Sequence, residues 1–303
     1  MNKRTYAAVD IGSNSVRLMV ARAHGSELEI LHRTRFTTRL MNGVHDGVLF
    51  GESVEATAQA VASHVRAARE LHADEIHAFG TSALRDARNP EVFTDRVREL
   101  CGAEVRIISG VAEAQLAYAG AAPEGKCGVI DIGGGSTELI VGENGRMLRA
   151  HSAQVGAVRL CNLLEGRQEP TEIVQAAEKL LCKTVDAVCT DAPERWIGVG
   201  GTITTLAAMT KRVSKYTPDA INNFPLTEEA VKLWLCRLCT MTVEERCTLV
   251  GLQPSRADII PYGTAILLAV MRSAKARPVY ACDRDNLEGY IRGVMMNAPD
   301  ARK

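Results

Sequence analysis

Apolar residues in the first part of the chain fall into short blocks separated by turn residues. TYAAVDIG at 5–12 is an apolar run closed by Asp10 and a glycine, and VRLMVARA at 16–23 follows at once, which predicts two strands joined through a tight turn. SELEILHRTRFTTRL at 26–40 continues as a third extended segment. From about Ser53 to Leu71 the spacing becomes helical and alanine-rich. EIHAFG at 75–80, a helix around Ser82 to Asp86, EVFTDRVREL, AEVRIISG and a helix from Val111 to about Ala119 complete an alternation of strands and helices. That organisation is α/β.

GAAPEGK at 120–126 breaks the pattern with small and turn residues and marks an interdomain crossing. The opening pattern then returns. VDIGSNSVRLMV at 9–20 and IDIGGGSTELIV at 130–141 match in Asp, Ile, Gly and Ser, and a third strand follows in both places. An internal duplication is the economical reading, with domains at 1–124 and 125–303. The second half adds a helix around Thr171 to Val188, the strand RWIGVGG, helices from Thr202 and from Thr227 to Leu238, and a strand around Pro278 to Ala281. GYIRGVMM forms a terminal amphipathic helix, and the tail NAPDARK is polar.

Three glycine elements carry the candidate chemistry. In the first, between Asp10 and Arg17, Gly12 permits a tight turn whose N–H groups can meet a phosphate, with Ser13, Asn14 and Ser15 adding donors; a structural turn reads equally well. The second runs through Gly133, Gly134, Gly135, Ser136 and Thr137. Three successive glycines make most sense where a ligand approaches the main chain, and Asp131 and Glu138 flank them as hard oxygen ligands for a divalent cation. The third, Gly198, Gly200, Gly201 and Thr202, lies between a strand and a helix N-terminus, where an anion is favoured. Neither a Rossmann nor a Walker pattern is present.

Duplicated domains related by a pseudo-twofold place Asp10 and Asp131 on opposite walls of an interdomain cleft. Arg17, Arg85 and Arg159 are the candidate phosphate-contacting arginines, although Arg17 reads equally as an outward strand residue. Glu113 stands near a helix start after a Ser-Gly turn. It suits the helix dipole there, and it suits a general base if that helix end opens onto the cleft.

Composition narrows the classes. Of 303 residues, 46% are hydrophobic and 24% charged, enough apolar content to bury a core and exclude a disordered chain. Thirty-six basic residues balance thirty-six acidic ones and no Lys/Arg block occurs, which argues against nucleic acid as a partner. The N-terminal apolar stretch is too short for a signal peptide and no long apolar run follows, so a soluble cytoplasmic protein with no membrane partner is expected. The nine cysteines are odd in number and irregular in spacing and read as reduced thiols; Cys236 and Cys239 read as helix-face packing.

These motifs, in order along nearly the whole chain, resemble the exopolyphosphatase and guanosine pentaphosphate phosphohydrolase (Ppx/GppA) family within the actin, sugar-kinase and chaperone-ATPase superfamily. The matching stretches include DIGSNSVRLMV, GTSALRDARN, IISGVAEAQLAY, IDIGGGSTELI, GVGGTITTLA and RADIIPYGTAIL. The resemblance implies duplicated actin-like, ribonuclease H-like domains and a Mg²⁺-dependent release of terminal phosphate from polyphosphate, with K⁺ as a stimulating ion. Guanosine pentaphosphate hydrolysis, a non-catalytic regulator that binds nucleotide or polyphosphate, and a superfamily ATPase or sugar kinase are the alternatives. It implies that Glu113 activates water, that Asp131 and Glu138 hold the metal with Asp10 facing them, that Arg85 contacts phosphate, and that the chain forms a homodimer. Two departures stand out: Ala112 replaces an acid beside Glu113, and CDRDNLEGY from Cys282 differs from the family form. The longer members' C-terminal helical region, resembling an HD-type domain, is expected to be absent, which favours short polyphosphate. Arg256 to Asp258 is expected to be structural and to open a long helix.

Overall fold

The computed structural model describes residues 4–24, 27–121, 125–191 and 193–297. The chain divides into two compact units, Met1–Gly120 with Asn286–Lys303, and Ala121–Asp285. In the first, β1 (Thr5–Ile11), β2 (Ser15–His24) and β3 (Glu27–Thr37) form an antiparallel meander. A small hairpin, β4 (Val44–His45) and β5 (Val48–Leu49), leads into α1 (Glu52–Glu70). β6 (Glu75–Gly80) pairs parallel with β1, and after α2 (Ser82–Arg85) and α3 (Glu91–Cys101) β7 (Val105–Ile107) pairs parallel with β6. α4 (Gly110–Ala121) follows. The sheet order is β3-β2-β1-β6-β7.

The second unit repeats this order with additions. β8 (Lys126–Ile132), β9 (Thr137–Glu143) and β10 (Arg146–Ala153) are the meander, followed by α5 (Ala157–Leu163) and α6 (Pro170–Val188). β11 (Arg195–Val199) runs parallel to β8. Then come α7 (Gly201–Thr210), α8 (Pro218–Ile221), β12 (Pro225–Leu226), α9 (Glu228–Thr240), α10 (Val243–Cys247), α11 (Ile260–Ser273) and β13 (Val279–Ala281). The sheet order is β10-β9-β8-β11-β13-β12. Except for the added edge strand β12, both sheets have the same connectivity, as the sequence repeat predicts. The core of this unit joins Ile130, Leu139 and Trp196 of the strands to Leu181 of α6 and Ile266 and Val270 of α11.

Two boundaries differ from expectation. Residues 125–303 are expected to be one domain, but the final helix α12 (Asn286–Asn297) returns to the first unit. Alternation along β1 turns Tyr6 and Ala8 to one face, and there they bury Leu287 and Ile291 of α12 with Met19 and Phe79. An amphipathic helix carries no local sign of which sheet it will cover. Arg256 does not open the long helix either: Pro254–Arg256 is a short 3-10 turn, and α11 starts at Ile260 with Pro261 in its first turn. Within the expected crossing, 122–124 lie outside the described residues, as do 298–303 of the polar tail. No described helix is long and apolar enough to cross a membrane.

Candidate active site

In the first unit the turn between β1 and β2 is closed by Gly12 N–H donating to the Ser15 carbonyl at 3.0 Å. Carbonyls of the loop are taken from behind: Thr38 and Arg39 N–H donate to Asn14 O at 3.1 and 3.0 Å, and Met41 N–H to Ser13 O at 3.0 Å. Among the described residues, the Ser13 and Asn14 N–H groups donate to no backbone carbonyl. Asp10, 1% exposed at the end of β1, sits opposite Arg17 in the ladder and forms an ion pair with it. Arg17 is therefore not simply an outward strand residue, and Asp10 already has a cation beside it.

The helix after β6 connects this loop to Glu113. Ser82 Oγ lies 2.9 Å from Ser13 Oγ, and three residues on, Arg85 Nη1 donates to Glu113 Oε2 at 2.8 Å and to the Ile108 carbonyl at 3.3 Å. Glu113 occupies the first turn of α4, whose start is held by Ser109 Oγ accepting from Ala112 N–H at 3.2 Å. It is 7% exposed. Its carboxylate thus has one defined orientation, fixed by a guanidinium from a neighbouring element. Behind the loop His64 of α1 is buried, donating from Nε2 to the Val16 carbonyl at 3.3 Å and stacked on Phe36. Burial pushes the His64 pKa down, and nearby His32 adds to the effect.

The second unit repeats the turn. Gly133 N–H donates to the Ser136 carbonyl at 3.0 Å, and here α5 takes the loop carbonyls: Ala157 N–H binds Gly133 O at 3.0 Å, and Val158 and Arg159 N–H bind Gly134 O at 2.8 and 3.0 Å. Arg159 Nε adds a bond to Gly135 O at 2.7 Å, so this candidate phosphate arginine supports the loop from behind. Gly156 packs so closely that a Cβ there would come 2.5 Å from the Gly134–Gly135 peptide. That close approach accounts for the glycine at 156, where α5 begins against the loop backbone. Ser136 is buried, and Thr137 Oγ1 donates to the Val155 carbonyl at 2.5 Å.

The position that carries Arg17 in the first repeat carries Glu138 in the second. Glu138 faces Asp131 across the β8–β9 ladder, so two carboxylates stand directly opposed, 1% and 8% exposed. Ser152 Oγ donates to Glu138 Oε1 at 2.6 Å. Opposed like charges are unfavourable in a sheet, and paired carboxylates are the donor type a small hard cation takes. No cluster of three or more His, Cys, Asp or Glu side chains suited to a metal occurs among the described residues. Gly200 reaches this pair from the next loop: its φ is +86°, and a Cβ there would lie 2.7 Å from Asp131 Oδ1. Gly201 and Thr202 open α7, as the sequence suggests.

Arg256, expected to be structural, also reaches the third glycine element. Its guanidinium lies against Gly201, where a Cβ would fall 2.0 Å from Cζ, so a cation stands at the start of α7. Nothing in its spacing announces this, because the contact joins a surface turn to a loop more than fifty residues earlier. The cysteines of the CxxC lie on α9; Cys236 is exposed and Cys239 half-buried, with its thiol pushed up to about 11 by burial. That suits packing for Cys239 and leaves Cys236 without it.

Two ribonuclease H-like units of the actin-like type, each with a glycine turn between its first two strands, define the class of protein. The chain belongs to the Ppx/GppA phosphatase family, whose sequence model it matches over residues 19–298. It is 32% identical over 292 residues to exopolyphosphatase 2 of Mycobacterium tuberculosis, covering 89% of this chain and 91% of that one. It is 28% identical over 311 residues to the guanosine-5'-triphosphate,3'-diphosphate pyrophosphatase of Pseudoalteromonas atlantica, covering 96% of this chain but 59% of that protein. The crystal structure of the Aquifex aeolicus Ppx/GppA family member superposes with a TM-score of 0.82 at 29% identity, over 98% of this chain and 99% of that one. Membership places the chain among phosphohydrolases of the Ppx/GppA type.

Proposed function

We propose that the protein is an exopolyphosphatase that releases terminal orthophosphate from polyphosphate, with Glu113 taking the proton of the attacking water. The observation that carries this reading is the Arg85–Glu113 pair, tied through α2 and Ser82 to the first phosphate loop. Water adds to the terminal phosphorus as the bridging P–O bond breaks, and the shortened chain leaves with the bridging oxygen. Glu113 accepts the water proton, Arg85 holds the Glu113 carboxylate in one orientation, and the N–H groups of the glycine loops stabilise charge on the phosphate oxygens. Asp131 and Glu138 are the residues that would hold Mg²⁺, which when bound neutralises charge on the phosphates. Asp10 is a weaker candidate ligand, because Arg17 is its counter-ion.

The similarity to a guanosine pentaphosphate hydrolase supports a second substrate for the same chemistry. The deciding experiment supplies polyphosphate of defined length and guanosine pentaphosphate in parallel, with Mg²⁺ and K⁺, and resolves the products. Terminal orthophosphate from polyphosphate with slower conversion of the nucleotide supports the proposal. Preferential conversion of the nucleotide transfers it to the second substrate, and tight binding without any product replaces it with a regulatory role.

A further inference from the structure

The row of side chains beside the first phosphate loop does not stop at Arg17. Asp10 of β1 faces Arg17 of β2, and Arg17 in turn faces Arg35 of the edge strand β3. Directly opposed residues of an antiparallel pair project to the same face with Cβ atoms roughly 5 Å apart. Arg33, two residues earlier on β3, shares that face and approaches Glu288 of α12 at 3.9 Å. The row is also close to the loop: Ser15, which closes the turn, pairs with Thr37, two residues beyond Arg35.

Two guanidiniums placed directly opposite each other are unfavourable in a sheet, an effect that the Asp10–Arg17 ion pair relieves on one side, and an edge strand can be kept soluble by many other residues. A guanidinium at this position is well matched to a substrate that brings several negative charges in succession. Adjacent strands are about 4.8 Å apart, so Arg17 and Arg35 present cations at a spacing that a run of linked phosphates can follow. A single phosphate ester would reach one of them.

We propose that Arg35, with Arg33 beside it, binds the phosphates next to the one held at the first glycine loop, so that the site selects a run of linked phosphates over a single phosphate group. This rests on the phosphohydrolase reading for the identity of the anion. The test is equilibrium titration with long-chain polyphosphate and with orthophosphate over a range of salt. The protein carries Glu113→Gln so that the chain survives, and is compared with and without Arg35→Gln or Arg35→Lys. Arg35→Gln is expected to weaken long-chain binding about tenfold, to leave orthophosphate binding nearly unchanged and to flatten the salt dependence. Arg35→Lys is expected to keep most of the affinity and the salt slope.

Equal affinity and equal salt slope for Arg35→Gln and its parent would overturn the proposal. So would a loss in both variants accompanied by a lower melting temperature, which marks a structural role, and so would a parent that binds no polyphosphate. Turnover, measured separately with Glu113 intact, distinguishes the two claims: binding through Arg35 with no phosphate released refutes the hydrolase reading alone.

Discussion

Gly200 shows how little freedom the third glycine element has. Its φ of +86° and the 2.7 Å approach of a Cβ to Asp131 Oδ1 leave no room for a side chain. Gly200→Ala is expected to cost about 2 kcal/mol or more of stability and to weaken Mg²⁺ affinity, read by denaturant unfolding and metal titration. His64 gives a pH signature. Burial holds its folded pKa below the ordinary value of about 6.5, so between those two values the unfolded chain binds more protons. The contribution of His64 is therefore complete above about pH 6.5 and is lost as pH falls towards the folded value. His64→Gln is expected to reduce the slope of stability against pH in that window, measured by unfolding at a series of pH values. At this scale the sequence was informative about residue types, since Asp131, Glu138 and Glu113 stand out beside glycines and helix starts. It could not show that Asp10 pairs with Arg17, because registering two strands is a property of the ladder.

Elements decide what the loops are free to do. In the first unit the segment 38–41 binds the loop carbonyls, and in the second the start of α5 does so. Gly156→Ala would drive a methyl into the Gly134–Gly135 peptide. It is expected to destabilise the protein by about 1–3 kcal/mol and to raise KM for polyphosphate, with steady-state kinetics as the check. Helix periodicity made α1, α6 and α9 legible to within a few residues. β12 was not, because two residues give no alternation to read. Arg246 was equally hidden: it is fully buried, and its guanidinium donates to the carbonyls of Leu238 at 2.8 Å, Met241 at 2.9 Å and Ala257 at 3.0 Å. These bonds join chain segments whose proximity no local pattern encodes.

Across the whole molecule, the duplication was the strongest signal, and the two sheets repeat one connectivity because the two sequences repeat one pattern of strand, turn and strand. The return of α12 to the first unit was not legible, since it depends on a long-range contact. Leu287→Ala is expected to lower stability by about 2–4 kcal/mol, seen as an earlier unfolding transition of the first unit. The central claim is hydrolysis of a phosphoanhydride through Glu113. The most direct measurement compares orthophosphate release from polyphosphate by the protein and by Glu113→Gln, with unfolding curves showing that both are folded. A loss in kcat of about a hundredfold to ten-thousandfold with little change in KM is the expected result. A folded Glu113→Gln protein that releases phosphate at the original rate would contradict the assignment.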